Sequence, residues 1–217
     1  MKNKFRLISV SALVIITLLF LQYGCGEKTG KPGSNEKTLD SSYVTELLKE
    51  RAKKDSELQF SAYSPFVKDK EAKYSPLKYY DPNPDFIFHS KLYEYDKKDT
   101  VDIFGTRGEV RPTIVEGYLV LNYKGDEYRI NLYKNTEQNG QVYYSIWFTD
   151  KTTGKETYGV GRYLDFEKVD DPNHIYTIDF NKAYNPYCAY SVQYTCPIPR
   201  EEDYIDLEIT AGEKRFH

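Results

Sequence analysis

The residues best equipped for chemistry concentrate in the last third of the chain, between Thr157 and Lys214. Arg162 is the cation of most interest there. A guanidinium presents planar donors that can grip a carboxylate, phosphate or sulfate in two places at once. Asp165, three residues on, falls on the opposite face of a strand, so the expected partner of Arg162 is Asp179 or Glu213. A buried arginine–carboxylate pair that stiffens a sheet is the plainer role for the same residues. Asp179, Asn181, Tyr184 and Asn185 lead into an Asn-Pro turn, where short polar side chains commonly bond nearby backbone amides. Together Arg162, Asp179, Asn181, Tyr184 and Glu213 form a candidate site for a small polar or anionic ligand. Asp179 paired with Glu213 or Asp165 also supplies the two carboxylates that general acid–base hydrolysis requires. A third reading makes the whole cluster a packing lock with no ligand.

Two cysteines stand in the same region. Cys188 and Cys196 are separated by AYSVQYT, close enough for a disulfide that closes this loop; two buried thiols are the alternative, and reactive or metal-bound thiols a third. A metal site lacks its remaining ligands, since His89, His174 and His217 stand near neither cysteine with a recognisable spacing. Gly159 and Gly161 flank Val160 just ahead of Arg162, but no third glycine or following helix completes a dinucleotide or Walker motif. They read as a bend or bulge at a strand, with an anion-binding loop as the sharper alternative. No cofactor is implied.

The elements that must position these residues are mostly strands. Asp40, Ser41 and Ser42 are available caps for a helix with Tyr43, Val44, Leu47, Leu48 and Ala52 as its apolar positions. A second helix is expected from Pro65 to Lys73. The prolines of YSPLKYYDPNPD then exclude regular structure. Beyond them the pattern alternates with period two. Strands are expected near Phe86–Tyr95, Val101–Phe104, Tyr118–Tyr123, Tyr128–Tyr133, Val142–Thr149, Tyr158–Phe166, Ile175–Phe180 and Ile205–Thr210, with hairpin loops at Lys124-Gly125-Asp126 and Asn139-Gly140. The fold class is therefore α+β and mostly β: N-terminal helices packed on a curled antiparallel sheet, barrel- or sandwich-like. The 22 tyrosines suit half-buried strand faces, and an aromatic surface that stacks on sugars is the alternative use.

The N-terminus carries an address. Lys2, Lys4 and Arg6 precede an apolar run, Leu7–Leu21, that has the length and flanks of a secretion signal and is short for a spanning helix. Gly24-Cys25 follows at once, the pattern of a lipoprotein signal whose cysteine is acylated, although Gln22 and Tyr23 depart from the stricter motif. Residues 1–24 are thus expected to be a signal peptide, 25–38 an acylated cysteine and flexible tether, and 39–217 one β-rich domain. The expected location is the bacterial cell envelope, held to the membrane by the lipid on Cys25. Lys2, Lys4 and Arg6 are three of the 30 basic residues, so the mature chain holds 27 against 33 acidic ones, a net charge of −6. With no basic run, nucleic acid is an unfavourable partner.

The segments WFTDKTTGKETYGVGRYLDF, DFNKAYNPYCAY, YTCPIP and ITAGEK resemble the C-terminal signature of a bacterial and archaeal family of unknown function, DUF1684. SPLKYYDPNPDFIF and the SPF that precedes it resemble that family's N-terminal half, so the resemblance spans about Leu39 to Phe216. It implies no particular activity. It does imply that both cysteines occur in cytoplasmic relatives, where disulfides are disfavoured. One departure is visible: Arg200 and Glu201-Glu202-Asp203 stand where the family often carries a second proline and an asparagine.

Overall fold

A computed structural model describes residues 38–217 except Gln138. The expected signal peptide, Cys25 and the tether up to Lys37 lie outside the described residues. Helix α1 runs from Ser41 to Phe60, and Asp40 caps it by accepting the Ser42 amide at 2.7 Å. Its docking stripe is Tyr43, Leu47, Arg51, Lys54, Asp55 and Leu58, residues three or four apart that share one side of the helix. Only Leu47 and Leu58 on it are buried, so the stripe is largely polar. Leu48 and Ala52, expected on the apolar face, are exposed instead. No helix among the described residues is long and apolar enough to cross a membrane.

The second helix, α2, is one turn only, Pro65–Lys68, and not the longer element expected to Lys73. Ser64 caps it, and Asp69 ends it by turning its carboxylate to the Ser191 hydroxyl at 2.6 Å and the Glu71 amide at 3.0 Å. Once the carboxylate serves a distant loop and its own turn, helix propensity over 69–73 has nothing to propagate.

Nine strands follow among the described residues: β1 Ile87–Ser90, β2 Tyr93–Glu94, β3 Thr100–Phe104, β4 Val110–Tyr123, β5 Asp126–Thr136, β6 Val142–Asp150, β7 Arg162–Phe166, β8 Tyr176–Asp179 and β9 Tyr204–Ile205. The main sheet has the order β2-β4-β5-β6-β7, with β3 also on β4 and β9 on β6. All its pairs are antiparallel except β6–β9. Strands β1 and β8 form a separate antiparallel pair. The sheet does not close on itself, which makes the architecture sandwich-like and mostly β. The β4–β5 hairpin turns on Lys124-Gly125 alone, both at positive φ, and Asp126 already pairs with Tyr123.

Period-two alternation sorts the side chains. Leu119, Leu121, Ile130, Leu132, Ile146, Phe148 and Leu164 line one face of the main sheet and pack against Phe86, Phe88, Ile178 and Phe180 from the β1–β8 layer. The opposite face carries Val115, Tyr133, Trp147 and Tyr163, covered by Cys196, Tyr184 and Cys188 from the C-terminal segment. A third cluster joins Leu58 of α1 to Phe66, Ala189, Tyr190 and Phe216. Several tyrosines thus serve as half-buried sheet residues, and Tyr133 stacks on Trp147 at 4.7 Å between ring centres. The unusual Asp203 is also structural: buried, it accepts from the Tyr133 hydroxyl, Asn131 and the Arg200 amide.

The expected Phe86–Tyr95 strand divides into β1 and β2 of different sheets, and β7 and β9 are shorter than the sequence pattern. β7 starts only at Arg162 because the chain turns over Tyr158–Gly161, with Gly161 at φ 119°. β9 stops at Ile205, although Leu207, Ile209 and Ala211 continue the inward alternation. Beyond it the Leu207 amide turns back onto the Ile205 carbonyl at 2.7 Å, and the carbonyls of Ile209 and Ala211 are taken by a side chain, as described below.

Gly212 marks a tight backbone approach near the C-terminus. It lies at φ 77°, and an added Cβ would sit 2.6 Å from the Phe180 carbonyl oxygen and 2.7 Å from that of Ala183. Gly212→Ala should therefore lower the unfolding free energy by about 2–4 kcal/mol, from the left-handed backbone and the clash together. Urea denaturation of the two proteins measures it; a difference under about 1 kcal/mol would show that the backbone relaxes freely there.

Candidate functional site

Three polar constructions occupy the region that the sequence singled out. The first is centred on Arg162, whose place in β7 opposite Phe148 points it into the sandwich beside Leu164. The carboxylate partner is neither Asp179 nor Glu213 but Asp150, at the end of β6, 2.8 Å from Nη2. The guanidinium also donates to the backbone carbonyls of Ile209 at 2.9 Å, Ala211, and Glu213 at 3.4 Å. Asp150 in turn accepts the amide of Thr152 at 2.8 Å and its hydroxyl at 2.5 Å. Both partners are shut off from solvent, at 1% and 0% side-chain exposure. Burial pulls the Arg162 pKa down and Asp150 counteracts it. Strand alternation correctly excluded Asp165 as the partner, but nothing local in the sequence pointed to Asp150, twelve residues upstream across the turn.

The second construction surrounds Glu213, which is fully buried. Its carboxylate accepts from Lys54 of α1 at 2.9 Å, from the Asn185 side chain at 2.8 Å and amide at 3.2 Å, and from the Tyr190 hydroxyl. Its own amide donates to Ala183. Glu213 thereby joins helix, loop and C-terminus at one point.

The third lies where β8 runs into a 3₁₀ turn, Phe180–Lys182. Asp179 caps this turn, accepting the Asn181 amide and side-chain amide, each at 3.0 Å, and the Tyr43 hydroxyl from α1 at 2.6 Å. Buried Asn181 exchanges two hydrogen bonds with the backbone of Asn83, which secures the proline-rich DPNPD segment. Tyr184 bridges to Tyr163 of edge strand β7 and donates its hydroxyl to Asp165 at 2.6 Å. The Lys54 ammonium stands 4.6 Å from the Tyr184 ring centre.

Two adjoining cavities open here, sharing Lys182 and Tyr184 as common wall. One, of about 130 Å³, lies under α1 and is lined by Leu47, Glu50, Arg51, Lys54, Tyr79, Asn181 and Ala183. The other, of about 160 Å³, lies between the free edge of β7 and β8; Ile146, Leu164, Phe166 and Ile178 give it apolar walls, and Asp165, Thr177 and Asp179 its polar groups. Their charges differ in sign. Arg51, Lys54 and Lys182 outnumber Glu50 in the first, whereas Asp165 and Asp179 outnumber Lys182 in the second. Arg51 donates to the carbonyls of Tyr80 at 2.9 Å and Asn181 at 3.1 Å, and its guanidinium lies 4.4 Å over the Tyr79 ring. Burial lowers its pKa, with Tyr79 foremost among the groups that raise it. Arg51 Nε and the Tyr79 hydroxyl are buried with no hydrogen-bond partner among the described residues.

Of the five residues expected to hold a ligand, Asp179, Asn181 and Tyr184 line this cleft. Glu213 stands behind it, linked through Lys54, and Arg162 is in the interior with Asp150. The sequence reading missed Arg51, Lys54 and Lys182. The first two were detectable in principle, because they share a helical stripe with Leu47 and Leu58 and so had to face the domain. Asp165, expected as an alternative carboxylate partner for Asp179, lines the same cavity as Asp179. Cys188 and Cys196 are free thiols placed side by side, the Cys188 amide donating to Cys196 Sγ at 3.3 Å. No group of three His, Cys, Asp or Glu able to hold a metal ion occurs among the described residues.

Fold and site define an α+β sandwich with a polar cleft between its helix and a sheet edge. The chain belongs to the family described as "Protein of unknown function (DUF1684)", whose model matches residues 72–214. It is similar to the solution NMR structure of an uncharacterized protein from Haloarcula marismortui, with 27% identity, a TM-score of 0.59, and coverage of 80% of this chain and 94% of that one. Among curated proteins, none matches.

The Arg162–Asp150 pair predicts its own stability signature. Arg162→Ala leaves a buried carboxylate uncompensated and should cost about 3–5 kcal/mol, as should Asp150→Ala in the opposite sense. The double substitution should cost clearly less than the sum, because neither charge is then stranded. Chemical denaturation of the four proteins tests this, and strict additivity would refute a coupled pair.

Proposed function

We propose that this protein is a cell-envelope lipoprotein whose cleft binds a small polar ligand bearing an anionic group. The observation that carries the reading is the charge division within one cleft. A ligand acid placed near Arg51, Lys54 and Lys182 would meet net positive charge, while its hydroxyl or amino donors would reach Asp165 and Asp179. Combined volumes of this size suit an amino acid, a hydroxy acid or a sugar acid rather than a polymer. The geometry favours binding over hydrolysis by Asp179 and Glu213, since Glu213 is buried and already accepts four hydrogen bonds. A hydrolytic reading would have to use Asp165 and Asp179 instead, and each of these already accepts a tyrosine hydroxyl.

A thermal-shift panel of small amino, hydroxy and sugar acids tests the cleft. Saturable stabilisation by at least one member is expected, with Lys182→Ala and Asp165→Asn each weakening its affinity by about tenfold, the worth of one charge-assisted hydrogen bond. Both residues are partly solvent-facing, so the unliganded melting temperature should hardly move. Absence of any binder at millimolar concentration, or affinities indifferent to both substitutions, would end this reading.

The envelope location rests on the N-terminal pattern of Lys2, Lys4, Arg6, the apolar Leu7–Leu21 and Cys25. Mass spectrometry of the mature protein from membranes should find Cys25 as the N-terminal residue, carrying acyl chains. An unmodified Cys25 within a longer chain would reject the anchor.

A further inference from the structure

The cysteine pair takes no part in the cleft. Cys188 sits in a 3₁₀ turn, Tyr187–Ala189, and is half-buried, whereas Cys196 is buried against Trp147 and Tyr163. The two halves of the pair are held by different restraints. Cys196 is fixed through its backbone, exchanging hydrogen bonds with Thr106: its amide donates to the Thr106 hydroxyl at 3.2 Å, and its carbonyl accepts the Thr106 amide at 3.0 Å. The bridge between Gly105 and Pro197 secures the same segment. Cys188 is held by the Tyr158 hydroxyl, which donates to its carbonyl at 3.2 Å and lies 3.7 Å from its sulfur. Its amide points at Cys196 Sγ.

We propose that Cys188 and Cys196 form a redox-active dithiol, in which the accessible Cys188 attacks a disulfide-bearing oxidant and the buried Cys196 resolves the product. In the first step the Cys188 thiolate attacks one sulfur of the oxidant; its S–S bond breaks, one oxidant thiolate leaves, and a mixed disulfide forms. In the second step Cys196 gives up its proton to the departing thiolate, and its sulfur attacks Cys188 Sγ. The second oxidant thiol leaves with the electron pair of the mixed bond. Two protein thiols are thereby oxidised to one disulfide, and the oxidant disulfide is reduced to two thiols.

The division of labour follows from the surroundings. Hydrogen bonding from the Cys196 thiol stabilises the Cys188 thiolate and brings its pKa down to about 7, with the Tyr158 hydroxyl assisting. The same contact, with burial, pushes the Cys196 thiol up and keeps it protonated until the mixed disulfide forms. Closing the bond ties residues 188–196 into a loop across the aromatic face of the sheet, so oxidation locks the segment that covers Trp147 and Tyr163.

Oxidised glutathione is the test reagent, applied to the reduced, folded full chain at pH 7. Peptide-resolved mass spectrometry keeps Cys25 separate from the pair. Three results are expected: an intramolecular Cys188–Cys196 disulfide in the native chain; stable glutathione on Cys188 in Cys196→Ser; and alkylation of Cys188 by iodoacetamide at least about tenfold faster than of Cys196. Equal alkylation of the two thiols, or a native chain that stops at the mixed disulfide, would overturn the proposal. A native chain that stays reduced while a small-molecule dithiol is oxidised would overturn it as well. The alkylation comparison uses the native sequence alone and therefore does not depend on either variant folding.

Discussion

A guanidinium removed from water must be surrounded by acceptors or it destabilises the fold, and this one requirement organises much of the domain. Arg162 draws on the Asp150 carboxylate at the end of β6 and on three carbonyls of the C-terminal segment. The apolar alternation from Ile205 to Ala211 is buried yet mostly not a strand: the Leu207 amide folds back on the Ile205 carbonyl, and Arg162 occupies the carbonyls of Ile209 and Ala211 farther on. The segment emerges with Gly212 pressed against the carbonyls of Phe180 and Ala183, and delivers Glu213 to Lys54, Asn185 and Tyr190. An interior ion pair thus sets the position of a carboxylate at the base of the cleft without entering the cleft itself.

The helix forms the other wall of the candidate cleft. An amphipathic helix usually docks through a continuous apolar stripe, but α1 docks through Tyr43, Arg51, Lys54 and Asp55, with Leu47 and Leu58 between and beyond them. Each polar contact reaches a different part of the signature region or the proline-rich segment. Such an interface is weaker per unit area than an apolar one, because every polar group must first lose its water. It also leaves space: the cavity under α1 persists because arginine, lysine and tyrosine span the gap at their tips and do not fill it.

Much of the fold was legible from local pattern. The α1 cap at Asp40, the β4–β5 hairpin at Lys124-Gly125, the β6 alternation and the antiparallel, helix-bearing class depend on side-chain period and turn chemistry, which act over a few residues. The site was half legible. Asp179, Asn181 and Tyr184 line the cleft, as their crowding implied, but the function assigned to Arg162 required knowing which carboxylate it meets. Truncation of α2 by Asp69 had the same origin, a side chain far along the sequence engaging a group that local propensity would have assigned elsewhere.

By itself, the sequence determined the family, the β-rich class, the turns and the stretch in which polar groups gather. These follow from composition and short-range periodicity, which survive in any fold that the chain adopts. Only the tertiary structure decided that Arg162 closes on Asp150 in a dry interior while Arg51, Lys54 and Lys182 face the cleft, and that Cys188 meets Cys196 as paired thiols of unequal exposure. Partner choice among like residues depends on distance and burial, and both are set by contacts between segments far apart in the chain, where a one-dimensional pattern carries no record of them.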